Sequence, residues 1–265
     1  MFSDKNRNVF KKFFSLILSV IMIFSLVPTA FAAEAFDRDE IPYDELIKEG
    51  YDKESIDKVA DIMENYAENT SDDDSDASEK STEIVATLSV VTRVKGTGHA
   101  WIYVENLTDE ELQVGHYMLP VGEGVSVGLF SFTCDDGIGI YYNVESYCCN
   151  VHGGDGLVSL TTELDENEMN TLNEELLDYP NRWGVFFNCM YFAFSMWNSV
   201  SDQKLVALVL PILGQLQLRI HGGKRNNLDM FCPRADQVLR LIGEKGDEQT
   251  LVPVSPSSID QQIGG

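Results

Sequence analysis

A change of hydrophobic period constrains this chain more than any other feature. Between Glu83 and Tyr147, apolar residues recur in short alternating runs, cut at brief intervals by Gly, Asp and Pro. IVATLSVVTRV, GHAWIYVEN (98–106), LQVGHYMLP (112–120), VSVGLFSF (125–132) and IGIYYNVESY (138–147) read as strands of an antiparallel meander. Further on the period lengthens. Met169, Leu172 and Leu176 mark a helix over about 165–179 that stops at Pro180. Phe192, Ala193, Met196, Trp197 and Val200 mark another that starts at Asn188. More helix is expected from about Ser201, with Pro211 either kinking it or starting a new one that ends at Gly222-Gly223. Residues 228–242 fit helix or strand, and 246–265 has the composition of a disordered tail. Strands first and helices after, without an internal repeat, give an α+β domain over 84–245.

The N-terminus has a different character. Lys5, Arg7, Lys11 and Lys12 precede a 15-residue apolar run, Phe13–Val27, then Pro28 and Ala30-Phe31-Ala32. A basic segment, a short apolar segment and an A-x-A site form the layout of a secretory signal peptide, cleaved after Ala32. The run is shorter than the ~20 residues that cross a bilayer as a helix. The sequence therefore predicts a secreted protein, in the style of bacterial export, that keeps no membrane anchor after cleavage. Residues 33–68 follow as a small helical segment, with Ile56, Val59, Ile62, Met63 and Tyr66 at helical spacing. Residues 69–83 form an acidic linker. Asp72, Asp74, Asp76 and Glu83 fall at calcium-loop spacing, but Ala77 stands where the sharp turn needs glycine, so the stretch reads as a solvated spacer.

Charge narrows the function. The whole chain carries 43 acidic and 19 basic residues. Without residues 1–32 it has 42 and 15, a net charge of −27. Nucleic-acid binding needs clustered Lys and Arg, so it is excluded as an expectation, and so is docking on anionic lipid.

Five cysteines in an exported chain invite a disulfide reading, and the odd number leaves at least one thiol unpaired within the chain. Cys189 is the one whose context suggests chemistry. It follows Asn188, a good helix cap, in the first turn of an apolar helix. There, unpaired N–H groups and the helix dipole favour a thiolate and can hold an oxyanion. The plain alternative is a small buried residue. Of the four histidines, His99 opens the strand GHAWIYVEN, His116 sits in VGHYMLP, His152 in a Gly-rich loop, and His221 at a helix end where a dipole contact explains it. Cys148, Cys149 and His152 lack a fourth ligand at a metal-site spacing, so neither a metal nor any other cofactor is expected.

Gly98-His99-Ala100-Trp101-Ile102 on a strand, followed after the sheet by Asn188-Cys189-Met190-Tyr191-Phe192-Ala193 on a helix, resembles the circularly permuted NlpC/P60 branch of papain-like cysteine hydrolases, which includes the lecithin retinol acyltransferase relatives. The resemblance spans roughly residues 84–222. It implies a papain-like permuted NlpC/P60 fold, with an antiparallel sheet packed on the Cys-bearing helix. It implies Cys189 as nucleophile and His99 as base. A third polar residue would orient the imidazole: His116 is the best placed, ahead of Asn106, Glu105 and Glu145. Met190 departs from the Ser or Thr that such enzymes often carry there. The implied substrate is a peptide or amide, with peptidoglycan stem peptides as the class suggested by family habit and export. A second class stays open: a secreted binding protein with the same fold and no activity. A third possibility is a proenzyme whose residues 33–82 cover the site. The pairing of Cys134, Cys148, Cys149 and Cys232 stays open, with Cys134 and one of the adjacent pair favoured because they flank the same expected strand.

Overall fold

The structure is a computed structural model that describes residues 37–70, 83–94, 98–131, 137–184, 188–208, 210–243, 245–255 and 259. The expected signal peptide, most of the acidic linker and Cys134 lie outside them.

The fold is α+β, built on an antiparallel sheet. Its strands are β1 (Ile84–Arg93), β2 (His99–Asn106), β5 (Gly124–Ser131), β6 (Ile138–Tyr142), β7 (Leu157–Asp165), β8 (Lys224–Arg225), β9 (Leu239–Ile242) and β10 (Thr250–Pro253). They lie in the order β10-β9-β6-β5-β2-β1-β7-β8, while β3 (Leu112–Val114) and β4 (Tyr117–Leu119) form a separate ribbon. The helices are α1 (Tyr43–Lys48), α2 (Lys53–Thr70), α3 (Val144–His152), α4 (Glu166–Asp178), α5 (Cys189–Val200) and α6 (Pro211–Ile220). No helix among the described residues is long and apolar enough to cross a membrane.

Strand alternation sorts the core. Leu88, Val90, Ala100, Ile102 and Val104 face one side, where they meet Phe192, Ala193, Met196 and Trp197 of α5 and Leu172 and Leu176 of α4. Trp101 and Tyr103 face the other side, against Val91, Leu157 and Met230. At α4, Asp165 accepts from Glu168 N–H while Glu168 bonds back to Asp165 N–H, a reciprocal cap that fixes the helix start.

Several boundaries differ from the sequence reading. The strand expected over 138–147 stops at Tyr142. Asn143 turns left-handed (φ 65°), which Asn tolerates, and Val144–His152 is helix. Helix does not run on from Ser201. Residues 204–208 carry no helix, and the Gln217 amide satisfies Val206 on both sides, accepting its N–H (2.6 Å) and donating to its C=O (3.0 Å). Pro211 starts a new helix, where its missing N–H costs nothing. Leu157–Asp165 is a strand paired along β1, for which the sequence reading has no element. The stretch expected as a disordered tail supplies β10, an edge strand on β9.

The N-terminal helices pack on the main domain. Leu46, Ile56, Val59, Ala60 and Met63 share a core with Leu213, Leu216 and Ile220 of α6. Charge reinforces this contact: Arg219, almost buried, donates to Glu49 through Nε (3.1 Å) and Nη2 (2.6 Å), and Arg225 Nε donates to the same carboxylate (3.0 Å).

Candidate active site

Three elements meet at the start of β2. α5 begins there because Asn188 caps it: the Asn188 side chain accepts from Tyr191 N–H at 3.0 Å. This sets Cys189 as the first helical residue, partly open to solvent. The β2–β5 ladder starts at Trp101–Gly128, and just ahead of it the Ala100 N–H donates to the Cys189 sulfur, as does the Met190 N–H. α6 abuts the same place: Gly98, in a positive-φ conformation (77°), lies so close to the Pro211 ring that any Cβ would collide with it.

The Cys189 side chain is hydrogen-bonded to the His99 imidazole. The ring's Nε2 lies 3.0 Å from Glu145 Oε1. Trp101 stacks beside the ring (centroids 5.6 Å apart, 23° between planes) and Phe130 packs at 4.3 Å. Glu145 is buried in the first turn of α3, and its Oε2 accepts from Ser126 Oγ at 3.0 Å.

The electrostatics favour an ion pair. Burial works against a charged His99, but the Cys189 and Glu145 charges and hydrogen bonds outweigh it and push the ring up to about 10. Burial likewise disfavours the Cys189 thiolate, yet the imidazolium and the two N–H donors hold the thiol below its ordinary value of 9.0. Tyr179, edge-on to Phe192 at 5.0 Å, has a buried hydroxyl without a hydrogen-bond partner among the described residues. Burial and the nearby Tyr191 and Cys189 push its phenol up.

His116 is not beside His99. It lies in the turn joining β3 to β4, where its N–H donates to Tyr142 Oη (3.1 Å) and its ring faces Gln249. A short ribbon carries it away from the sheet face that the sequence reading assigns it. The group on His99 is Glu145, which the strand reading of 138–147 ranked low; a helix start at Asn143 is the signal that would have raised it. Glu105 accepts from Thr87 Oγ1, and Asn106 binds the turn carbonyls of Glu110 and Leu119, so neither touches the imidazole.

Cys149, Cys189 and Cys232 are free thiols. A cleft of about 260 Å³ lies elsewhere, lined by Cys149, Asn150, Asp155, Leu157, Asp229 and Met230, and burial pushes Cys149 up to about 11. Among the described residues no three His, Cys, Asp or Glu side chains are arranged to hold a metal ion. Compared with protein-family models, curated proteins and solved structures, the chain matches none.

Proposed function

We propose that this protein is a thiol hydrolase working by acyl transfer, with Cys189 as nucleophile, His99 as general acid and base, and Glu145 as the residue that orients the imidazole. The observation that carries the reading is the hydrogen-bonded series Cys189–His99–Glu145, with the sulfur at a capped helix start. In this reading the thiolate attacks the carbonyl carbon of an amide or ester. The developing oxyanion is held by N–H groups of the first turn of α5. The imidazolium gives its proton to the leaving nitrogen or oxygen, and the chain is left as a thioester. Water then attacks, His99 takes its proton, and the acid product departs. Glu145 keeps the ring oriented and offsets its charge while protonated.

The order of a His strand, a sheet and a Cys helix supports placing the chain with the permuted NlpC/P60 hydrolases. On that resemblance and on the expected export, the substrate is a peptide or amide of the cell-wall stem-peptide class. The test is release of new amino groups from short peptides and soluble muropeptide fragments. Wild-type protein should release them, and Cys189→Ala should not. Equal rates in the two would remove the proposal.

A further inference from the structure

Helix α3, which carries Glu145, starts without a cap of its own. Asn143 stands at the cap position, but its side chain makes no capping bond and donates instead to Gln237 C=O at 3.1 Å. The first turn of a helix leaves backbone N–H groups without partners. One of them, that of Ser146, donates to Ser126 Oγ on the neighbouring strand β5, at 3.1 Å. A serine hydroxyl has a single proton. With Ser126 Oγ accepting from a backbone N–H, that proton is directed to Glu145 Oε2, 3.0 Å away. Ser126 is fully buried and Glu145 nearly so, so neither has ready access to water as a substitute partner.

Glu145's other oxygen faces His99 Nε2 at 3.0 Å. Two residues along β5, on the same strand face as Ser126, stands Gly128, opposite Trp101. Any Cβ at Gly128 would overlap Glu145 Oε1. The carboxylate therefore sits against bare backbone, with one oxygen on the serine and the other on the histidine.

We propose that Ser126 is a positioning residue of the site, its hydroxyl fixing the Glu145 carboxylate on His99 while capping the helix that delivers it; this rests on the acyl-transfer reading above. Gly128 supplies the space that the seat needs. The serine touches neither nucleophile nor substrate and acts only through Glu145.

The test is the rate of Cys189 modification by iodoacetamide in the full chain. It is followed residue by residue by mass spectrometry from pH 5 to 9, in wild type, Ser126→Ala, Glu145→Gln and the double variant. Ser126→Ala should slow Cys189 at pH 6 by roughly tenfold or more, the scale of a lost charge-assisted hydrogen bond in a buried site. It should move the pH profile in the same direction as Glu145→Gln, and add nothing once Glu145 is Gln. An unchanged profile, or a loss that adds in full to that of Glu145→Gln, would overturn the proposal and leave the thiol reading standing. If wild-type Cys189 reacts no faster than Cys149 and Cys232, the thiol reading falls and takes the proposal with it. Should Ser126→Ala fail to fold, Gly128→Ala takes its place, because it displaces the carboxylate without touching the hydroxyl. The same shift is expected from it, and an unshifted profile would refute the seat.

Discussion

Replacing Glu49 by Ala tests whether the N-terminal helices are part of the folded unit or a removable cover. The Arg219 guanidinium belongs to a side chain only 7% exposed, and the Glu49 carboxylate takes two of its N–H groups. Breaking a buried pair by removing one partner costs about 3–5 kcal/mol. Arg219 keeps two other acceptors, the Gly223 carbonyl and Glu45, whose side chain is 61% exposed. They offset part of the loss, which brings the expected cost to ~2–3 kcal/mol. For a chain of this size that corresponds to a fall in melting temperature of roughly 5–10 °C. The control is Lys53→Ala, which removes an exposed i,i+4 pair with Asp57 and should cost only about 0.5 kcal/mol. The assay is thermal unfolding by circular dichroism at neutral pH and in acid. Burial tends to raise the Glu49 carboxyl, but Arg219 and Arg225 outweigh it and hold it below 4.5. A depressed carboxylate contributes its stability in full above that unfolded value and loses it as pH falls through the folded value. The gap between wild type and Glu49→Ala should therefore narrow below about pH 4.5. If Glu49→Ala melts within a degree or so of Lys53→Ala, the bracing role is wrong and a separable N-terminal piece becomes the better description.

Other expectations concern the site. Glu145→Gln should slow hydrolysis at least about tenfold, because the imidazolium loses its counter-charge, whereas His116→Ala should leave the rate within about twofold. Equal losses in the two would reverse the assignment of the third residue. Tyr179→Phe removes a buried hydroxyl that has no partner among the described residues, so the protein should melt no lower than wild type and be up to about 1 kcal/mol more stable. A drop of several degrees would reveal a hydrogen bond that the fold does not display. Cys189→Ala should change the melting temperature little, since the residue is partly exposed and Asn188 supplies the cap.

Much of this architecture was legible where one physical signal dominates. The alternation of GHAWIYVEN could only be a strand with Ala100, Ile102 and Val104 on one face, and Asn188 before an apolar helical run could only be a start. What escaped the reading depends on contacts distant in sequence. Val158, Leu160, Thr162 and Leu164 alternate, but Thr and Glu dilute the pattern, and it is pairing with β1 that makes it a strand. Tyr142-Asn143-Val144 carries no Pro or Gly to announce a break. The helix start there is completed by Ser126, twenty residues away. Misreading that one junction ranked Glu145 below His116 as the partner of His99. The Gln217 amide likewise takes both backbone groups of Val206, a contact from eleven residues further along the chain.

Selective alkylation at pH 6 tests the proposed thiolate–imidazolium pair of Cys189 and His99. An ordinary exposed thiol is well under 1% ionised there, while a thiol held low by an imidazolium carries a larger thiolate fraction. Even allowing for the weaker nucleophilicity of an acidic thiolate, Cys189 should react roughly tenfold or more faster than exposed Cys232. Cys149, pushed up to about 11, should react most slowly, and His99→Ala should abolish the advantage of Cys189. Cys189 reacting at the pace of Cys232, or keeping its rate without His99, would contradict the account.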